Sequence, residues 1–448
     1  MLDQMFTAEN FRRIFDNENR KGLDLASRYF PHLEPHTLAI RNKMLEIRKL
    51  RTKETSLKAE DFSAQLATLK TDLVALKATK STAIDEAMEE ISLKVLQPSF
   101  KIELSPKLGP KGKPVYCIDK EPETFFVVKQ LQRNISRIYG VKQANRHDLV
   151  CQLRDTVWNN FPFELVRTDI STFYESINRK GLVDKLDRDQ LLSPASKKYI
   201  KQILDSYGAI SGTATGVPRG VGISAYLAEL YLRQVDKDIR ALPGLVLYCR
   251  FVDDVVAVFA RPPTGKALGS YKDLIITIFG KNALAHNPKK TFEFDLAKPE
   301  TKKFEYLGYR FLLRPGHCEI RASAAKVSKY KLRMKAAFED YWHQRPYNSK
   351  GAFRNLVARI KFLTGNTRLS NSKSRAETGI YYNNSIVNQL SSFVLLDKIL
   401  KARATELKRS SLIKRLKPYN FTDGFQSRRF HNFSTRELQI IVSAWKHG

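Results

Sequence analysis

Two adjacent carboxylates, Asp253 and Asp254, stand between two short apolar runs, Leu245-Val-Leu-Tyr-Cys and Val255-Val-Ala-Val-Phe. Both runs are rich in β-branched and aromatic residues, as strands are. The pattern predicts a β-hairpin with acids at its tight turn. Two carboxylates held at one turn repel each other, and a cation relieves that repulsion. Hard divalent cations such as Mg²⁺ prefer carboxylate oxygens and bind phosphates at the same time. Asp is also a favoured turn residue, so the dipeptide by itself reads first as a polar turn. The rest of the chain decides between the two.

The charge balance points to a polyanionic partner. The chain of 448 residues carries 77 Lys and Arg against 46 Asp and Glu, a formal charge of +31. Such an excess repels itself and is relieved by nucleic acid, whose phosphates release counterions when neutralised. No apolar run reaches the length of a membrane span, and the start of the chain lacks the basic and apolar regions of a signal peptide. Cys117, Cys151, Cys249 and Cys318 are far apart without zinc-type spacing, which fits reduced thiols in a cytoplasmic protein.

Four segments follow from the patterning: a helical region 1–98, then 99–162, a mixed region 163–320, and a helical, basic region 321–448. In the first, Thr7 reads as an N-cap with Phe6 stapled onto Phe11. Leu66, Leu69, Leu73 and Leu76 form an amphipathic stripe, suited to packing on the chain's own core or to an oligomer contact. Lys101 to Pro114 reads as a loop. Phe125 to Gln152 reads as helical, with Lys129, Arg133, Arg137, Lys142 and Arg146 interleaved with rings, a mixture suited to nucleic acid or to a solvated face. Strands are expected at 164–169, 245–251, 255–260 and 304–312, and helices at 180–206 and 223–240, an α+β arrangement. Asn366 to Ser374 reads as a loop. Residues 401–448 hold eleven Lys and Arg against three Asp and Glu, a further surface for RNA.

Four more elements accompany the acids: Asp169-Ile-Ser-Thr-Phe173-Tyr174, then Gly216-Val-Pro218-Arg219-Gly220-Val-Gly-Ile-Ser224, Asn287-Pro-Lys-Lys290-Thr, and Leu307-Gly308. In order and spacing, these five resemble the palm motifs of reverse transcriptases. Details such as Phe173-Tyr-Glu-Ser-Ile177 and Gly222-Ile-Ser-Ala-Tyr-Leu-Ala-Glu229 look most like the bacterial defence-associated and abortive-infection members, the type-three group among them. The resemblance covers about 125 to 313. It implies a right-hand polymerase: region 99–162 as fingers, 163–320 as a palm with an antiparallel sheet, and 321–448 as a thumb and basic C-terminal region.

The resemblance also implies roles. Asp169 and Asp253 match the metal-binding acids and Asp254 their companion, with the carbonyl of Ile170 completing the sphere of one of two Mg²⁺ ions, for which Mn²⁺ can substitute. Tyr174, with Phe173 beside it, matches the ring that blocks a ribose 2′-hydroxyl, although Tyr174 also reads as a core aromatic. Arg219, Lys290 and Arg146 are further candidates for the dNTP, with Lys289 a rival to Lys290, and Arg137 and Lys129 rivals to Arg146. Gly216, Pro218, Gly220, Ser224, Leu307 and Gly308 are candidates for the primer and template. Three departures stand out: Arg219 replaces the usual Gln, Ala225 follows Ser224 where Pro is common, and Phe251 replaces the Tyr before the acids.

The implied function is RNA-directed DNA synthesis in bacterial antiphage defence, with a non-coding RNA as template or scaffold and DNA as product. The implied partners include a second copy or a second defence protein. Template-independent or protein-primed synthesis and a non-catalytic RNA-binding scaffold are the alternatives.

Overall fold

In the computed structural model, residues 3–52, 54, 58–109, 112, 114–159, 161–261, 269–369, 376–408 and 410–445 are described. Their contacts form two compact units interleaved along the chain. The first takes the chain up to Gln143 together with Thr172–Gln234, and the second takes Ala144–Ser171 and the chain from Val235 onward.

The first unit is mainly helical. Helices Glu34–Arg51 and Ala59–Leu96 pack together, and the leucine stripe is half-buried there. Lys43 reaches Asp72, and Lys80 donates to Thr37, across the pair. Thr7 begins the helix Ala8–Arg20 without a side-chain cap. Phe6 packs edge-on to Tyr199 at 4.9 Å and Phe11 lies 5.6 Å from Phe126, so both rings serve the core. The helix Pro194–Ser211 shows the usual punctuation: Ser193 caps it, Pro194 opens it and Gly212 closes it at φ 65°. The segment read as a loop from Lys101 holds a hairpin instead, β1 (Leu104–Leu108) paired with β2 (Pro114–Ile118).

The region read as one basic helix is two. Pro122–Ile138 belongs to the first unit and Arg146–Val157 to the second, with Gly140 at φ 60° between them. In the first of these helices, Lys129 pairs with Glu18 at 2.9 Å and Arg133 donates to Asn10 at 3.0 Å, so both cations hold the fold together.

The second unit is built on an antiparallel sheet of order β4-β5-β3-β6. Its strands are β3 (Phe163–Asp169), β4 (Leu245–Phe251), β5 (Asp254–Ala260) and β6 (Phe292–Asp295). Val256 and Val258 join Val150 and Leu153 in the core, while Phe259 stacks on Tyr271 at 3.9 Å. Alternate residues of β5 are therefore covered on both sheet faces, and an unbroken apolar run fits there. The span 304–312, read as one strand, is a hairpin. It consists of β7 (Lys302–Tyr306) and β8 (Tyr309–Arg314), with β9 (His317–Ala322) completing a second sheet.

Helices follow from Ala324, with a short ladder of β10 (Asn366–Arg368) and β11 (Glu377–Gly379) among them. The rest of the loop read from Asn366, residues 370–374, lies outside the described residues, as does Arg409. Arg359, 1% exposed, pairs with Asp340 and donates to the Ile440 carbonyl at 3.1 Å, joining three of these helices. Among the described residues no helix is long and apolar enough to cross a membrane. The four cysteines are unbridged. The architecture is α+β, antiparallel sheets flanked by helices.

Candidate active site

Strands β4 and β5 form a hairpin whose last pair is Phe251 and Asp254, leaving Val252 and Asp253 as a two-residue loop. Val252 sits at φ 59°. A positive φ at the first loop position matches the twist of a tight hairpin, but it is costly for a β-branched residue. Such strain persists only where the surroundings hold it. Arg250 supplies one restraint: it donates to the Val252 carbonyl at 3.1 Å while gripping both carboxylate oxygens of Asp236 at 2.7 Å.

The sheet brings the upstream acid to this turn. Asp169, the last residue of β3, lies in register with Asp254, and the Ile170 N–H donates to the Asp253 carbonyl at 3.0 Å. Ile170 then bridges His286. Asp169, Asp253 and Asp254 thus share one end of the sheet. Asp169 is buried and accepts from Lys290 Nζ at 2.7 Å and from Asn287 Nδ2 at 3.2 Å. Lys289 has no such contact and is exposed.

Arg167 stands two residues before Asp169 on the same strand, buried at 6% exposure. It meets Asp254 Oδ1 at 2.8 Å and donates to the Lys290 carbonyl at 2.7 Å. The meeting with Asp254 is an ion pair without hydrogen-bond alignment, since Asp254 Oδ1 and Arg167 Nε lack hydrogen-bond partners. Burial pushes the Asp254 carboxyl up to about 6. Asp169 and Asp253 push it the same way, and Arg167 and Lys290 oppose them.

Carboxylates are the donor type that a hard divalent cation takes. Three carboxylates crowd one sheet end, and an ammonium and a guanidinium already occupy positive positions against two of them. Among the described residues no three His, Cys, Asp or Glu side chains converge as a ready cage. Lys290 and Arg167 hold the contacts that a cation would compete for.

The Leu307–Gly308 turn forms a second part of the site. Both residues have positive φ, 46° and 82°, as a type I′ hairpin needs. Arg146 Nε donates to the Leu307 carbonyl at 3.2 Å, and its guanidinium lies 5.8 Å from the Phe251 ring. A cavity of about 420 Å³ opens here, lined by Arg146, Lys326, Lys329 and Arg333 with no carboxylate among its lining residues. Lys326 Nζ sits 3.9 Å from the Tyr309 ring centroid and donates to the Asn383 carbonyl at 2.8 Å. Burial, together with Arg146, pulls Lys326 down to about 8.

Within the first unit, the Gly216–Ser224 loop is laid against the short helix Phe173–Ser176. Gly216 N–H donates to Ile177 and Val217 N–H to Tyr174, both to carbonyls. A Cβ on Gly216 would stand 3.0 Å from the Glu175 backbone, and one on Gly220, at φ 101°, would stand 2.6 Å from the Tyr116 carbonyl. Only glycine fits either position. Ser224 is buried and donates to the Pro218 carbonyl at 2.7 Å, so it shapes the loop from within. Pro218 is likewise buried. Arg219 pairs with Glu175 at 3.0 Å and lies 5.5 Å from the Tyr174 ring centroid. Phe173, expected beside the nucleotide, is 2% exposed; its ring is a packing group, and half-buried Tyr174 is the accessible one of the pair.

Residues 143–311 match the family model for reverse transcriptase (RNA-dependent DNA polymerase). This segment is similar to reverse transcriptase domains. The activity of the matched family is RNA-directed DNA polymerisation, a nucleotidyl transfer. A search of curated proteins gives no match. Similar solved structures include apo telomerase from Candida tropicalis, at 14% identity and a TM-score of 0.39, covering 77% of this chain and 60% of that one. Telomerase from Candida albicans in complex with a fragment of telomeric RNA follows, at 11% identity and a TM-score of 0.35, covering 79% and 65%. A Candida tropicalis telomerase lacking its C-terminal domain matches at 14% identity and a TM-score of 0.33, covering 61% and 73%. The chain spans less than two thirds of the length of the first two telomerase chains.

Three residues of the matched segment escaped the sequence reading as site residues: Arg167, Arg250 and Asn287. Arg167 had a legible signal. An arginine inside an apolar strand, two residues before an acid, shares that acid's sheet face. Arg250 acts through Asp236 and carries no local signal, whereas Asn287 opens one of the five motifs but acts through Asp169, far away in sequence.

Proposed function

We propose that the chain is a reverse transcriptase that extends DNA with deoxynucleotides on an RNA template, using two divalent cations, Mg²⁺ or Mn²⁺. The observation that carries this reading is the meeting of Asp169, Asp253 and Asp254 at one sheet end inside the matched segment. Bound there, a cation pair would activate the primer 3′-hydroxyl and stabilise the leaving pyrophosphate. Asp169 and Asp253, with the Ile170 carbonyl, would hold the ions, and Asp254 would add charge from its place against Arg167. Lys290, now on Asp169, would pass to an incoming phosphate once Asp169 is neutralised. Arg146 and Lys326, without carboxylate partners beside the Leu307–Gly308 turn, suit the phosphates of the primer or the triphosphate.

Tyr174 would select deoxyribose. Tyr174→Val is expected to raise ribonucleotide incorporation by at least about tenfold, the weight of one removed steric clash. Competition between dATP and ATP in primer extension measures it, and an unchanged ratio would remove the gate from Tyr174.

Lys326 gives a pH dependence. Its pKa is lowered to about 8, so the free protein loses that charge as pH rises through 8, while a bound phosphate favours the charged form. Affinity for primer-template is therefore expected to fall above pH 8, by up to about tenfold per pH unit. Lys326→Arg should flatten that limb in an anisotropy titration, because arginine stays charged.

The biological setting follows from the resemblance to defence-associated enzymes: antiphage defence with a dedicated non-coding RNA. Isolating the protein from cells and sequencing its RNA and any attached DNA tests template, product and primer together. DNA synthesised without any copied RNA would favour template-independent synthesis, a reading to which Arg219 and Phe251 lend support as departures from the motifs of the family.

A further inference from the structure

The reverse transcriptase match ends at residue 311. A separate open cavity of about 540 Å³ lies beyond it, among the helices of the second unit. Part of its wall is aromatic. The Tyr419 and His431 rings stand 5.8 Å apart and steeply inclined, and Phe433 follows His431 at 6.2 Å. Burial, with Lys361 and Arg429 nearby, lowers the pKa of His431.

The remaining wall is cationic. Arg354 and Lys361 come from the helix Ser349–Thr364, and Arg415 from the helix Ser410–Leu416. No ion pair with a described carboxylate occupies any of the three. Lys361 Nζ lies 5.5 Å from the Tyr419 ring centroid. Glu437, the acid of the lining, accepts from the Ser434 N–H and hydroxyl at 2.8 Å and is within electrostatic reach of Lys361, so Arg354 and Arg415 carry the uncompensated charge of the wall.

Each half of the wall excludes a simpler ligand. An inorganic anion needs the cations and makes no use of the rings. An apolar molecule uses the rings and leaves the cations unpaired. A nucleotide satisfies both, with a planar base for aromatic faces and a phosphate for guanidinium and ammonium groups. The volume suits one such unit. We propose that this cavity binds a single nucleotide, its base against Tyr419 and His431 and its phosphate on Arg354, Lys361 and Arg415. The unit is either an unstacked residue of a single strand, as proteins commonly read RNA, or a free mononucleotide.

The test uses the full chain without dNTPs or divalent metal, so it reads binding independently of polymerisation. A single-stranded RNA oligonucleotide carrying 4-thiouridine is cross-linked, and the adducts are mapped by mass spectrometry. Adducts are expected within 415–433. Tyr419→Leu should remove them and weaken binding by roughly tenfold, the contribution of one stacked base. Lys361→Gln with Arg415→Gln should reduce the slope of log affinity against log salt by about one or more. Arg415 is exposed, so its substitution leaves the core intact, and an unchanged thermal melt verifies that. If AMP displaces the oligonucleotide from 415–433 alone, the ligand is a free nucleotide; if AMP has no effect there, it is a residue of the strand. Adducts mapping elsewhere, with affinity and salt slope unchanged in both variants, overturn the proposal.

Discussion

Asp253→Asn is expected to abolish deoxynucleotide incorporation, by roughly 10³-fold or more, while the chain folds and binds RNA as before. The expected loss is large because carboxylates that hold catalytic cations supply several kcal/mol of transition-state stabilisation, and each ~1.4 kcal/mol is about a factor of ten in rate. The fold survives because Asp253 occupies the second position of a two-residue hairpin loop, where asparagine is accepted. Its backbone carbonyl, the acceptor for Ile170, is unchanged by the substitution. Primer extension in Mg²⁺ gives the rate, and a thermal melt with an RNA-binding isotherm gives the controls. Asp254→Asn is a poorer probe, since it also breaks the ion pair with buried Arg167. An Asp253→Asn protein that still extends primers would place the chemistry elsewhere. One that loses extension yet keeps full biological activity would favour the scaffold reading.

Arg167→Met is expected to destabilise the second unit by about 3–5 kcal/mol, the usual cost of removing one partner from a buried pair. Arg167 is nearly inaccessible and joins two parts of the site, Asp254 and the Lys290 carbonyl. Its removal leaves Asp254 buried beside Asp169 and Asp253 with one fewer opposing charge. A divalent cation should then recover part of the loss, because ligand binding to the folded state alone adds stability. Thermal melts with and without Mg²⁺ measure both effects. The expected result is a low melting temperature that rises more with Mg²⁺ than that of the parent protein. Equal Mg²⁺ responses would mean that Arg167 and the cation do not share the acids. Methionine fills similar volume, so the comparison reads lost charge more than a lost contact surface.

Several of these features are legible in the primary structure for a common reason. The apolar runs around Asp253-Asp254 produce a hairpin because strand periodicity and turn chemistry depend on neighbours. Ser193, Pro194 and Gly212 bound a helix by equally local chemistry, yet the helix expected over 180–206 runs across that break and is two helices, Arg179–Asp189 and Pro194–Ser211. The loop read from Lys101 shows where local signals mislead: lysines, glycines and Pro106 mask the β1–β2 pairing, which runs along a two-stranded ribbon that tolerates proline. The single strand read over 304–312 misses its centre, because the paired positive φ values of Leu307 and Gly308 call for the glycine that is there and also for an unusual leucine.

From the sequence alone come the residue types, the order of the motifs, the charge and the hairpin that carries the acid pair. Only the tertiary structure places Asp169 opposite Asp254, sets Arg167 and Lys290 against the acids, and gathers Arg146 with Lys326 around Leu307–Gly308. The reason is the strand order. β3 lies between β5 and β6, partners that follow it by long stretches of chain, and that order is chosen by burying both faces of the sheet at once. Periodicity along the chain records which residues a strand turns to each face; it holds no record of which distant strand lies beside it.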